Sequence, residues 1–222
     1  MGRLFNFLKA GFRLLTPKMR TVWAEPFIDE PCVFVCSHIG AMGPIHMAVN
    51  FPLCDNVAIW CNCQVMDRSE CAEYVRHDFW WKPESRLAPL YSATIPHIAA
   101  AVLPPVLTSA PTIPVYHDAR VMTTMRQSIK ALKAGQHVVI FPEKPSGYGE
   151  YDRRINTGWL NLLVMYHRMT GKALRMWPVW IDQKGHTFYI GEHVRYDPER
   201  PLEEQEDALA EALGCGLRGE NR

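Results

Sequence analysis

A chain of 222 residues, 48% hydrophobic and 21% charged, is long enough for one compact domain with a sizeable core and too apolar for a disordered polypeptide. Its formal charge of +1 gives no general attraction to nucleic acid, which is not expected as a partner. The charge is unevenly placed: Arg3, Lys9, Arg13, Lys18 and Arg20 occupy residues 1–20 without an acid, while acidic residues crowd 197–211.

From the start of the chain, Leu4, Phe5, Leu8, Phe12 and Leu15 recur at three- and four-residue steps with basic residues between them. This predicts a basic amphipathic helix over 1–20 that ends near Pro17. Charges run throughout the segment, so it does not read as a secretory signal. Such a helix either packs on the domain or lies on an anionic membrane surface, and the basic bias inclines the reading to the surface.

After Pro31, the run Cys32-Val33-Phe34-Val35-Cys36 reads as a buried strand that leads directly into Ser37-His38. Gly43-Pro44 then permits a turn and opens a helix from Ile45 to Val49. Val57 to Cys61 is a second strand. Phe79-Trp80-Trp81-Lys82 has the aromatic and cationic character of a bilayer interface, a composition that a core edge shares.

Residues 87–117 contain no Asp, Glu, Lys or Arg, but Pro89, Pro96, Pro104, Pro105, Pro111 and Pro114 are expected to break them into short pieces. The segment therefore reads as a membrane-facing or acyl-lining stretch, or as a buried connection, and not as a span. Further on, Ile113–Tyr116 is a strand, Val121 to Leu132 a helix ended by Gly135, and Val138–Phe141 a strand turning out through Pro142-Glu143-Lys144. Trp159 to Met169 is helical and Met176–Ile181 returns as a strand. The alternation predicts a single α/β domain over 21–200 with a mixed, mostly parallel sheet flanked by helices, followed by an acidic C-terminal helix and tail over 201–222.

The seven cysteines are an odd number with no repeated C-x-x-C spacing and read as reduced thiols. No metal site is expected, because Cys61-x-Cys63 with His38 or His46 lacks a second closely spaced pair. There is also no P-loop, no G-x-S-x-G elbow and no H-E-x-x-H; Gly147-Tyr148-Gly149 is too short for a dinucleotide fingerprint.

Three strand exits carry polar groups: Ser37-His38, His117-Asp118-Ala119-Arg120, and Glu143-Lys144-Pro145-Ser146. In an α/β sheet such exits converge on one crevice, where a base, cations and a carboxylate suit transfer to an anionic acceptor. Each exit also has a structural reading, as a core histidine or a solvated turn.

The ordered spacing resembles the glycerolphosphate acyltransferase family, in particular the 1-acylglycerol-3-phosphate (lysophosphatidate) acyltransferases. Ser37-His38 is similar to that family's Asn/Ser-His motif, and Phe141-Pro142-Glu143 to the start of its Phe-Pro-Glu-Gly-Thr-Arg-Ser motif. The strand, basic loop, helix and Lys133-Ala134-Gly135 turn between them follow in the same order, and Met176–Ile181 echoes its Val-Pro-Val strand. The likeness covers residues 30–196. Gly43 stands at the family's aspartate, Lys144 at the glycine after the glutamate, and Pro145 and Ser146 at the Thr-Arg pair. The arginine of the second motif falls nominally on His117, with Arg120 nearby.

The resemblance implies an acyltransferase acting on a lysophospholipid or glycerol phosphate, with acyl-CoA or acyl-carrier protein as co-substrate and no bound cofactor. His38 would be the general base, Glu143 a catalytic group that orients the acceptor, and Arg120, Lys144, His117 and Ser146 the binding groups. With Gly43 in place of an acid, Asp118, Glu143 or a backbone carbonyl must orient the imidazole. The implied location is peripheral, on the cytoplasmic side of a membrane. The competing readings are a non-catalytic lipid-binding protein and a thioesterase-like hydrolase.

Overall fold

The computed structural model describes residues 2–78, 80–148 and 150–218, apart from the side chains at 153 and 154. Helix α1 (Arg3–Leu15) precedes strands β1 (Arg20–Trp23) and β2 (Val33–Cys36), helix α2 (Met42–Val49) and strand β3 (Val57–Asn62). Helices α3 (Cys63–Met66), α4 (Cys71–His77) and α5 (Ala88–Ser109) then lead to strand β4 (Thr112–Val115). Next come α6 (Val121–Lys133), β5 (His137–Ile140) and a hairpin of β6 (Glu143–Gly147) and β7 (Glu150–Ile155). The chain closes with α7 (Asn161–Thr170), β8 (Arg175–Asp182), β9 (Thr187–Ile190), β10 (Val194–Arg195) and α8 (Leu202–Leu217).

Among the described residues, eight strands form one sheet in the order β1-β9-β8-β2-β5-β3-β4, with β10 on β8. The central pairs β2–β5, β2–β8, β3–β5 and β3–β4 are parallel, while β8 meets β9 and β10 antiparallel. The protein is thus a single-domain α/β fold with a mixed, mostly parallel sheet.

Strand β2 is buried at all four positions, as expected of a central strand covered on both faces. Its alternation divides the core. Val33 and Val35 join Val138, Ile140 and Met176 beneath residues of α6, α7 and α8, such as Ile129, Leu163 and Leu213. Phe34 and Cys36 face the other way, onto Met47 and Phe51 together with Trp177 and Phe188. A third cluster, around Val65, Cys71, Val75 and Ala99, joins α3, α4 and α5.

Several elements differ from expectation. Pro96, Pro104 and Pro105 do not break the segment: α5 runs unbroken through them for 22 residues, and the chain leaves the helix only before Pro111. Pro89 lies in the first turn, where no amide donor is needed. Pro96, Pro104 and Ala99 are buried, and packing against α4 and α3 holds the helix together over the lost bonds. Helix α2 starts at Met42 rather than Ile45, so Pro44 falls within the first turn, where its missing N–H again costs nothing. Glu143 and Lys144 begin strand β6 instead of a turn.

Helix α1 is inverted relative to a helix that buries its apolar stripe. Phe5 and Lys9 face the domain, and Lys9 is only 5% exposed. Its ammonium donates to Asp55 Oδ1 (2.8 Å) and to the Cys54 carbonyl (3.3 Å). Arg13 continues the same face, donating to the Val49 carbonyl at 3.1 Å. Two of the helix's cations are therefore engaged by the domain and not by a lipid surface. Of the aromatic cluster before α5, Phe79 lies outside the described residues. Trp80 and Trp81 pack at the edge of the third core cluster, and Lys82 sits 5.7 Å over the Tyr148 ring.

Candidate functional site

Strands β2 and β5 are adjacent and parallel, with Val35 opposite Ile140. Both chains therefore leave the sheet at the same edge, and continuing the register brings His38 beside Glu143. The Glu143 carboxylate accepts the His38 backbone N–H at 2.6 Å. Residues 105 positions apart are joined by the topology alone. Ser37 anchors the exit from the other side: its hydroxyl accepts the Ile181 N–H of β8 at 2.9 Å.

The His38 ring lies between two aromatic rings. Tyr151 stacks on it at 4.7 Å and 20°, and Phe141 meets it edge-on at 5.3 Å. The Tyr151 hydroxyl accepts the Gly40 N–H at 2.6 Å, which ties hairpin β6–β7 to the loop after β2. Gly40 sits at φ +61°, a left-handed conformation that glycine adopts without a Cβ penalty. Burial lowers the His38 pKa from 6.5 to about 4, so the ring is neutral at physiological pH. Its Nδ1 is buried with no hydrogen-bond partner, which leaves Nε2 as the nitrogen available for proton transfer.

Asp118 makes no hydrogen bond to the His38 ring, whose Nδ1 has no partner. Asp118 is exposed and gripped by Arg120, whose Nε and Nη2 donate to it at 3.0 and 2.7 Å. Those hydrogen bonds pull its carboxyl down to about 2. Glu143 does not accept from Nδ1 either; its carboxylate bonds the main chain of His38. Nor does a carbonyl accept from Nδ1. A carboxylate cannot be added simply at residue 43, because a Cβ there would approach Phe141 Cε1 to 3.0 Å.

The second expected exit lies apart from the first. Strand β4 is at the sheet edge, with β3 and β5 between it and β2. At about 4.8 Å per strand, this separates the two exits by roughly 14 Å. His117 and Arg120 are exposed there, and the Arg120 guanidinium lies 4.4 Å over the Tyr116 ring. Lys144 and Ser146 are exposed on β6, on the same strand as Glu143.

Three nearby groups carry no motif in the sequence. Arg218, just past α8, brings positive charge to Glu143: burial raises the Glu143 carboxyl, while the His38 N–H and then Arg218 oppose that rise. Tyr151 lies between the Phe141-Pro142-Glu143 motif and the Met176–Ile181 strand and belongs to neither. Asp78 accepts the Trp80 indole N–H at 3.1 Å and is raised by burial, and its charge adds to the burial that raises the Tyr151 phenol. Asp78 also lines a cleft of about 240 Å³ beside α4, with Gln64, Glu73, Tyr74 and His77. No group of three or more His, Cys, Asp or Glu side chains among the described residues forms a metal site, and the seven cysteines are free thiols.

No protein-family model matches the chain, and no curated protein matches it significantly. Chemically, the site offers a neutral imidazole, a phenol beside it and a half-buried carboxylate, with the Arg218 charge acting on that carboxylate and Lys144 exposed next to it along β6.

Proposed function

We propose that the protein transfers a fatty acyl group from a thioester, acyl-CoA or acyl-carrier protein, to a hydroxyl of a lysophospholipid or glycerol phosphate. The observation that carries the reading is the meeting of His38 and Glu143 at neighbouring strand exits, the pair singled out by the acyltransferase resemblance. An alcohol is a poor nucleophile at neutral pH. As its oxygen attacks the thioester carbonyl, His38 Nε2 takes the hydroxyl proton; the carbon–sulfur bond then breaks and the proton passes to the leaving thiolate. Glu143 holds the His38 main chain in place, and Arg218, whose charge acts on Glu143, and Lys144, the next residue on β6, are the cations assigned to an acceptor phosphate. In this reading His117 and Arg120 belong to a separate surface.

The test is acyl transfer from acyl-CoA to a panel of lysolipid and glycerol phosphate acceptors. Wild type should form acylated product, and His38→Ala should lose at least ~10²-fold in rate. No product with any acceptor, or equal rates for the two proteins, would reject the reading. A second reading, a lipid-binding protein without catalysis, is favoured by one observation: His38 Nδ1 has no orienting partner. It predicts acyl-chain binding that His38→Ala leaves unchanged.

A further inference from the structure

Apolar side chains on α1 and α5 point away from the core. On α1, Leu4, Phe7, Leu14 and Leu15 share the face opposite Phe5, Lys9 and Arg13, and Phe7, Leu14 and Leu15 are 78%, 88% and 83% exposed. A surface helix normally turns this stripe inward. Here the domain takes the cations and leaves the apolar face open. On α5, only 17% of the most apolar stretch is buried, and Leu90, Ile98 and Val102 are exposed. The two helices meet where the Gly2 N–H donates to the Ser109 carbonyl at 2.8 Å, and α1 packs against α5.

We infer that α1 and α5 together form a face that lies in the plane of an anionic lipid bilayer, with α5 sunk in the interface rather than crossing it. Cations placed around the face select the occupant. Arg3 begins α1, Lys18 and Arg20 follow it, and Arg86 precedes α5; all four are exposed, and residues 1–20 contain no acid. Apolar side chains bordered by cations match acyl chains beneath anionic headgroups.

By length alone, α5 could span a membrane: its 22 residues measure about 33 Å. Its connections forbid this. It lies in the crossover from β3 to β4, and these strands pair in parallel from Ile59↔Thr112 to Asn62↔Val115. A crossing would place β4 on the opposite side of the bilayer from its partner strand. The helix must therefore lie flat. The Lys82–Tyr148 contact joins the segment before α5 to the hairpin over His38, so the proposed site sits beside the membrane face. The inference adds a partner to the transferase reading but does not depend on its chemistry.

The experiment is flotation of the full chain with phosphatidylcholine vesicles, with and without phosphatidylglycerol. Wild type should bind the anionic vesicles about tenfold more tightly than the neutral ones. Phe7→Asp with Leu14→Asp, and separately Ile98→Asp with Val102→Asp, should each weaken binding by about tenfold or more. These positions are exposed, so circular dichroism should show intact folds. His38→Ala should bind like wild type, which separates failure of this inference from failure of the enzymatic one. Absence of binding, or binding that both double variants retain, would overturn it. So would a vesicle-free dimer dissociated by the α5 pair, which would assign the face to a second copy. Resistance to extraction at alkaline pH would overturn the flat orientation.

Discussion

His38 and Tyr151 form the most specific contact of the proposed site. Because Tyr151 oxygen accepts from the Gly40 amide, the phenolic proton is left to be donated elsewhere. In an acyl transfer the group needing that proton is the carbonyl oxygen, which becomes negative as the alcohol attacks. Tyr151→Phe keeps the ring on His38 but removes the donor. It should lower kcat by about tenfold or more with little change in KM. Tyr151→Leu, which also loses the stack, should fall further, and steady-state kinetics on the three proteins would rank them. Equal kcat for wild type and Tyr151→Phe would leave Tyr151 as a prop for the loop alone. Sequence patterns pointed to His38 and Glu143 because strand–loop motifs are local. Tyr151 was hidden because its role depends on a hairpin folding back over a strand exit more than 100 residues earlier.

Among elements, α8 departs most from its local sequence. Glycine is a poor helix former, yet Gly214 and Gly216 lie within it, near its end. Packing explains Gly216: a Cβ there would come within 2.5 Å of Pro178 Cβ on β8. Leu209, Leu213 and Leu217 fill the core on successive turns, and the helix delivers Arg218 toward Glu143. An added methyl at 216 has no room and must push α8 off the sheet. Gly216→Ala should therefore destabilise the protein by about 1–3 kcal/mol, despite its better helix propensity. Urea denaturation would measure the loss, and a stabilised variant would refute the close approach. The acidic composition of 201–222 announced a helix, but nothing in it announced this contact. Central strands were legible because Val, Ile and Phe runs need two covered faces. Strands β1, β9 and β10 and hairpin β6–β7 were not; each mixes polar with apolar residues instead of forming such a run. The unbroken course of α5 was misread because proline's cost is local, whereas the packing that offsets it is tertiary.

At the scale of the whole molecule, several histidines are enclosed in their neutral form. Burial lowers the pKa of His38 to about 4, and lowers those of His46 and His137 as well. His137 is wholly interior, its Nδ1 3.3 Å from Cys32 Sγ, and His46 is held under the sheet by α2. In the unfolded chain each ring takes a proton near pH 6.5. The folded state therefore binds fewer protons than the unfolded state between about pH 6.5 and the lowered values. Stability from these groups is complete above pH 6.5 and drains away as the pH falls toward 4. For His38 alone the loss by pH 4 is on the order of 3 kcal/mol. Urea midpoints should accordingly hold steady above about pH 7 and drop below it. His38→Gln cannot be protonated, so its profile should fall less steeply than wild type over that interval, with His46 and His137 supplying the remaining slope. Parallel profiles would mean that the His38 ring is as well solvated in the folded protein as in the open chain. Such a ring would lack the burial that keeps it neutral, and the acid limb of any transfer activity would then lie near pH 6.5 instead of near 4.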